Sequence, residues 1–256
     1  TLYRLYFGPY NRKVWRRDLS DVPLSWLEGK LPMPAPEEIL YNNIRRVKEK
    51  AFVHSSFYYE RQGGSQFIAD TLAEGLDLRC SSPVSRLDRQ ADGGWLVDGE
   101  RFDAVVFCGN VKDLPGMLSG VDIEGFTQYI DRLESHGTTA VFCDIDPNPY
   151  SWIYLPDSSY DAHRVICTGN FSRTNNAPGR MTATIEFTDS ISRDEIVRQL
   201  PYIPFSPRYI THCYNPYTYP IQHADTRSMI SALSDRLAAS GLYLTGRFAL
   251  WEYFNM

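Results

Sequence analysis

At 256 residues the chain is long enough to bury one or two cores, and 43% hydrophobic with 22% charged residues describes a globular protein. Its 26 basic and 31 acidic side chains leave a net charge of −5, interspersed and without a basic block, which argues against nucleic acid as a partner. No apolar run approaches the roughly 18 residues of a membrane span.

Five scattered cysteines (Cys80, Cys108, Cys143, Cys167, Cys213) predict reduced thiols packed in the core of a cytoplasmic protein, with no disulfide framework and no metal site. The chain opens on Thr1 without a signal-peptide pattern and reads as the interior of a longer protein.

In chain order, Gly8-Pro9 predicts a turn, and Ser20 or Asp21 a cap for a short helix carrying Trp26. Residues 37–50 have helical period, with Ile39, Leu40, Ile44 and Val47 on one stripe expected to meet the core. Gly63-Gly64 precedes an amphipathic helix over 65–74, closed by Gly75. Strands are expected at 77–80, 84–89, 94–97 and 102–108, with reversals at Gly93-Gly94 and Asp98-Gly99.

Alternation then predicts an antiparallel sheet from 139–144, 151–155, 164–168 and 182–188, with a further strand at 209–214. A short helix follows a Ser192 cap, and 226–240 is an amphipathic helix stopped by Gly241. Strand 242–245 runs into Gly246-Arg247. Gly246 permits close backbone approach to a ligand, and the Arg247 fork suits a phosphate. His136 and His223 sit in polar contexts and are expected at the surface, so that replacing His136 would barely affect ligand binding. The fold class is α+β.

The order of "PYNRKVW", "RQGG", "WIYLPD", "HRVICTGNFS", "NPYTYPI" and "LYLTGRFALWEYFNM" resembles the flavin amine-oxidase superfamily, nearest to eukaryotic-type UDP-galactopyranose mutases. The resemblance implies a helical cap segment (1–60), a partial FAD-binding domain (61–110 and 225–256) and an antiparallel substrate domain (111–224). It implies FAD as cofactor and a nucleotide sugar or other small molecule as substrate, with the flavin carrying the chemistry and no catalytic side chain.

Carried over to this sequence, Arg164, Tyr219 and Tyr253 hold a substrate diphosphate, while Phe171 replaces a tyrosine and loses one hydroxyl contact. Trp26 lies near the nucleotide base and His54 replaces an asparagine near the substrate. Val84, Gly63, Gly64, Gly246, Arg247, Asn255 and Met256 fall on the cofactor side. No G-x-G-x-x-G occurs in the chain, so FAD is expected in the full-length parent and not in this chain. Two other readings stay open: a flavin oxidoreductase of the amine-oxidase or protoporphyrinogen-oxidase type, and an inactive domain fragment. The oligomeric state is not legible.

Overall fold

The computed structural model describes residues 2–21, 34–47 and 56–254. Trp26, His54, Asn255 and Met256, together with the helix expected to carry Trp26, lie outside them.

A five-stranded antiparallel sheet dominates. Its strands are β6 (Ser135–Ile145), β7 (Trp152–Tyr154), β8 (Ala162–Ile166), β9 (Met181–Thr188) and β10 (Arg208–Pro220), in the order β10-β6-β9-β8-β7. One face is apolar: Val141, Cys143, Val165, Ile185 and Phe187 are buried there with Ile196 from α6 (Arg193–Gln199) and Leu200 just after it. The Ser192 hydroxyl caps α6 by accepting from Glu195 N at 3.3 Å, as its position predicts. The other face carries the alternate, partly exposed residues, among them Arg164, Ile166, Thr184 and Glu186.

A second core gathers Leu87, Trp95, Leu114, Ile130, Leu233, Leu237, Leu242 and Trp251. It is framed by a small sheet of β1 (Leu87–Arg89), β2 (Trp95–Val97), β3 (Glu100–Phe102) and β5 (Leu118–Ser119), ordered β3-β2-β1-β5. Beside it β4 (Val105–Phe107) runs parallel to β11 (Leu242–Leu244). Helix α7 (Thr226–Ala238) covers this core, and the turn that closes it reaches Gly241, whose φ of 78° suits a residue without a Cβ. Residues 84–97 and 226–244 thus form strands and helices close to those expected, and the whole is an α+β fold.

Several expectations fail for identifiable reasons. Gly8-Pro9 does not turn the chain: a π-helical stretch, Tyr3–Phe7, passes directly into the helix α1 (Gly8–Trp15), with Pro9 in its first turn. The 102–108 run is broken between β3 and β4, which belong to different sheets. No strand forms at 77–80, which pairs with no neighbouring strand. Helix α2 ends early (Pro36–Arg45), and Ile39, Leu40, Ile44 and Val47 are all exposed, not in a core. Cys80, Cys108 and Cys213 are exposed, and only Cys143 and Cys167 pack inside.

The remaining described α-helices are α3 (Gln66–Ala73), α4 (Leu114–Met117) and α5 (Glu124–Asp131). None of the helices in the described residues is long and apolar enough to cross a membrane.

Candidate active site on the partly exposed sheet face

Strand register assembles the site. Arg164 on β8 pairs with Tyr154 on β7 and Glu186 on β9, which brings three polar or aromatic side chains to one face. The Arg164 Nε donates to Glu186 Oε2 at 2.8 Å and Nη2 bonds the same oxygen. Its Nη1 has no hydrogen-bond partner among the described residues, and the side chain keeps 26% of its surface. Burial opposes the charge on Arg164, but the Glu186 carboxylate outweighs it and holds the guanidinium pKa above its ordinary value.

A bulge between Ala162 and Arg164 lets the intervening His163 reach the same pair. Its Nε2 stands 3.4 Å from Glu186 Oε2, an electrostatic contact without hydrogen-bond alignment. Its Nδ1 is 3.4 Å from the Thr188 hydroxyl. Burial holds this fully enclosed imidazole below the usual histidine range. Burial also works against ionising Glu186, but His163 and Arg164 overcome it and keep the carboxyl below its ordinary value.

Helix α1 closes the site from one side. Tyr10 packs edge-on against Tyr154 at 5.1 Å between centroids and stacks on Tyr6 at 5.8 Å. Lys13 Nζ donates to the carbonyls of Leu155 and Ala162 at 2.9 and 3.0 Å, fixing α1 to the sheet edge. Burial lowers the Lys13 pKa to about 8.

From β10 comes Tyr219, which stacks on Tyr253 at 5.7 Å and 6° and meets Trp15 edge-on at 6.1 Å. An irregularity between Asn215 and Tyr219 re-aims the strand end, so that Tyr219 lies opposite His136. Arg164 lies within electrostatic reach of both Tyr10 and Tyr219. Burial raises both phenol pKa values, so the two hydroxyls remain donors at neutral pH.

Of the residues expected at a diphosphate, Arg164 lies within electrostatic reach of Tyr219, which in turn stacks on Tyr253, while Phe171 belongs to an aromatic cluster. It packs against Phe57 at 5.0 Å and Tyr59 at 5.3 Å, with Phe57 against Trp152 at 5.6 Å. Tyr10, Tyr154, Glu186 and His163 were not assigned to the site from the sequence. Tyr10 and Tyr154 lie inside two of the motifs quoted above, and Glu186 is the lone acid in an otherwise apolar and threonine-rich strand. His136 is not a surface residue: its side chain is 16% exposed and bonded on both sides.

On the cofactor side, Gly246 has φ 87°, and the nearest atom to an added Cβ is the Cys108 carbonyl oxygen at 3.9 Å. That backbone admits a close ligand. Arg247, however, is committed: Nη1 donates to Thr218 O at 3.0 Å, Nη2 to Phe254 O, and the guanidinium lies 4.7 Å over the Tyr253 ring.

Val84 is exposed, and Gly63 and Gly64 turn at positive φ before α3. No hydrogen bond or ring contact among the described residues joins them to Gly246. Among the described residues no cluster could hold a metal ion.

A model of the flavin-containing amine oxidoreductases matches residues 34–200. No curated protein matches the sequence. Among solved structures, the chain is similar to reduced UDP-galactopyranose mutase (TM-score 0.82, 18% identity), covering 98% of this chain and 60% of that one. It is also similar to a putative protoporphyrinogen oxidase from Exiguobacterium sp. 255-15 (TM-score 0.57, 14% identity), covering 83% and 53%. The chain thus spans less than two thirds of either protein. With the family model matching well over half of its residues, the chain belongs to the flavin-containing amine oxidoreductase family.

Proposed function

We propose that this chain supplies the substrate-binding part of a flavin-dependent enzyme acting on a nucleotide sugar, a UDP-galactopyranose mutase-like isomerase of surface-polysaccharide (LPS) synthesis. The observation that carries this reading is that the Arg164 guanidinium lies within electrostatic reach of Tyr10 on α1 and Tyr219 on β10, with Tyr10 packed on Tyr154, the strand partner of Arg164. A diphosphate needs cationic and hydroxyl donors that meet at one point, and Nη1 of Arg164 is available for it. Tyr253, stacked on Tyr219, completes the wall.

The residues bind and orient the substrate, and the flavin supplies the bond-breaking chemistry when present. We divide the chain into a cap (1–60), a partial flavin-binding unit (61–110 with 225–256) and a substrate unit (111–224). Residues 111–133 share the core of the flavin-binding unit. Val84, Gly63, Gly64, Gly246 and Arg247 are assigned to the flavin side.

Titration with UDP tests the reading. Arg164→Ala is expected to weaken binding by roughly 1.5–3 kcal/mol, the worth of hydrogen bonds to a charged group. Arg164→Lys should recover only part, because an ammonium lacks the planar fork. Unchanged affinity in Arg164→Ala would favour the second reading, a flavin oxidoreductase. That reading draws on the Glu186 carboxylate, which already offsets the Arg164 charge, and on phenylalanine at 171, which brings no hydroxyl to a phosphate.

The purified 256-residue chain is expected to lack stoichiometric flavin absorbance, since its sequence has no G-x-G-x-x-G turn to receive the pyrophosphate. A yellow one-to-one preparation overturns that expectation.

A further inference from the structure

His136 opens β6 on the same face as Arg164 and lies directly opposite Tyr219. Its ring is bonded at both nitrogens. Nε2 is 2.7 Å from the carbonyl oxygen of Trp15, the last residue of α1, and Nδ1 is 3.1 Å from each carboxylate oxygen of Asp189. Asp189 follows β9 with φ 63°, a left-handed conformation that Asp and Asn tolerate better than most residues.

Asp189 is itself held. Its Oδ1 accepts from Gly137 N at 3.1 Å, its N–H donates to Gly137 O at 2.9 Å, and its carbonyl accepts from the Thr139 hydroxyl at 2.7 Å. Next to this network the Arg16 Nη2 lies 3.4 Å from Thr188 O, and Arg17 pairs with Glu134 at 3.1 Å. The C-terminal end of α1 is therefore pinned to the sheet at a point where β6, β9 and β10 come together.

That pin matters because of what α1 carries. Trp15, 4% exposed, backs the Tyr219 ring, and Tyr10 projects from the same helix toward Arg164. The Trp15 bond is to main chain, so His136 holds the helix itself and not one side chain.

We propose that His136 and Asp189 form a strap that positions α1 over Arg164 and Tyr219, making His136 a positioning residue for a ligand it does not touch. The proposal rests on the anion-binding reading of the site. It reverses the expectation that His136 is dispensable.

The test compares His136→Ala, His136→Gln and Asp189→Asn by UDP titration and by amide exchange of α1 in the absence of nucleotide. His136→Ala should weaken UDP binding about tenfold, the equivalent of one charge-assisted hydrogen bond, and speed exchange across residues 8–15. His136→Gln keeps one donor and should fall between, which covers the case in which the alanine variant does not fold.

Asparagine at 189 keeps an acceptor for Gly137 N, tolerates the left-handed backbone and offers His136 either hydrogen-bond sense, so Asp189→Asn should stay within about threefold of the parent. Unchanged affinity or unchanged exchange in His136→Ala overturns the strap, whereas an Asp189→Asn variant as impaired as His136→Ala supports it and shows that the Asp189 charge, beyond its hydrogen bond, holds the ring. A parent chain that binds no UDP overturns the diphosphate reading instead, and the exchange comparison then decides the strap by itself.

Discussion

Replacing Trp251 with alanine is expected to destabilise the fold by about 3–5 kcal/mol, a large share of the roughly 5–15 kcal/mol that holds a domain together. The indole is fully buried and packs edge-to-face on Phe248 at 5.4 Å. Its Nε1 donates to Ile221 O at 3.1 Å, and its own carbonyl accepts from Gln222. Truncation leaves a cavity and also an unpaired buried carbonyl at Ile221.

Trp251 sits at φ 48°, where alanine is no better accommodated, so the backbone gains nothing from the change. Phenylalanine should cost less, about 1–2 kcal/mol, because it fills most of the volume and loses only the N–H. Urea unfolding measures both. A loss under about 1 kcal/mol for Trp251→Ala would show that the C-terminal segment is peripheral. The same anchor fixes the segment that carries Tyr253, so the alanine variant should also loosen the Tyr219–Tyr253 stack.

What the sequence made legible was local. Alternation in 182–188 and 209–214 located β9 and β10, and the Ser192 cap and the Gly241 stop marked the bounds of α6 and α7. Arg164 and Tyr219 were picked out through the motifs that contain them, and they do come together.

The site's other members depend on register, which no window of sequence contains. Glu186 faces Arg164 only because β8 and β9 pair as they do, and His163 reaches them only through a bulge. His136 reads as a polar residue in a Glu-Ser-His-Gly stretch. Its partners are 53 and 121 residues away in sequence, and their arrival turns an expected surface histidine into a half-buried tie. The exposed stripe on α2 shows the converse: amphipathic period gives a helix and its apolar face, but not what meets that face.

The Arg164–Glu186 pair sets stability against binding. Glu186→Leu should destabilise the protein by about 3 kcal/mol, the low end for breaking a buried pair, because Arg164 keeps a quarter of its surface in water. Glu186→Gln keeps a carbonyl acceptor and should lose less.

Both variants release the Arg164 guanidinium from its carboxylate, so both should bind a phosphate-bearing ligand more tightly than the parent while unfolding at lower urea. A variant that loses stability and affinity together would mean that Glu186 orients Arg164 more than it competes for it.

The pair also predicts the sign of the pH response. Glu186 titrates lower in the fold than in the unfolded chain, so its contribution is present above the unfolded carboxylate range and disappears as pH falls through the folded value. His163 also titrates lower in the fold, and the unfolded chain takes up its proton first, so stability begins to fall as pH drops through the ordinary histidine range. Acid therefore acts in two stages, the first from His163 and the second from Glu186. His163→Gln should remove the first stage and leave the second, as read from urea midpoints across the acidic range. Midpoints that stay flat through the histidine range in the parent would contradict a neutral, buried His163 behind the Arg164–Glu186 pair.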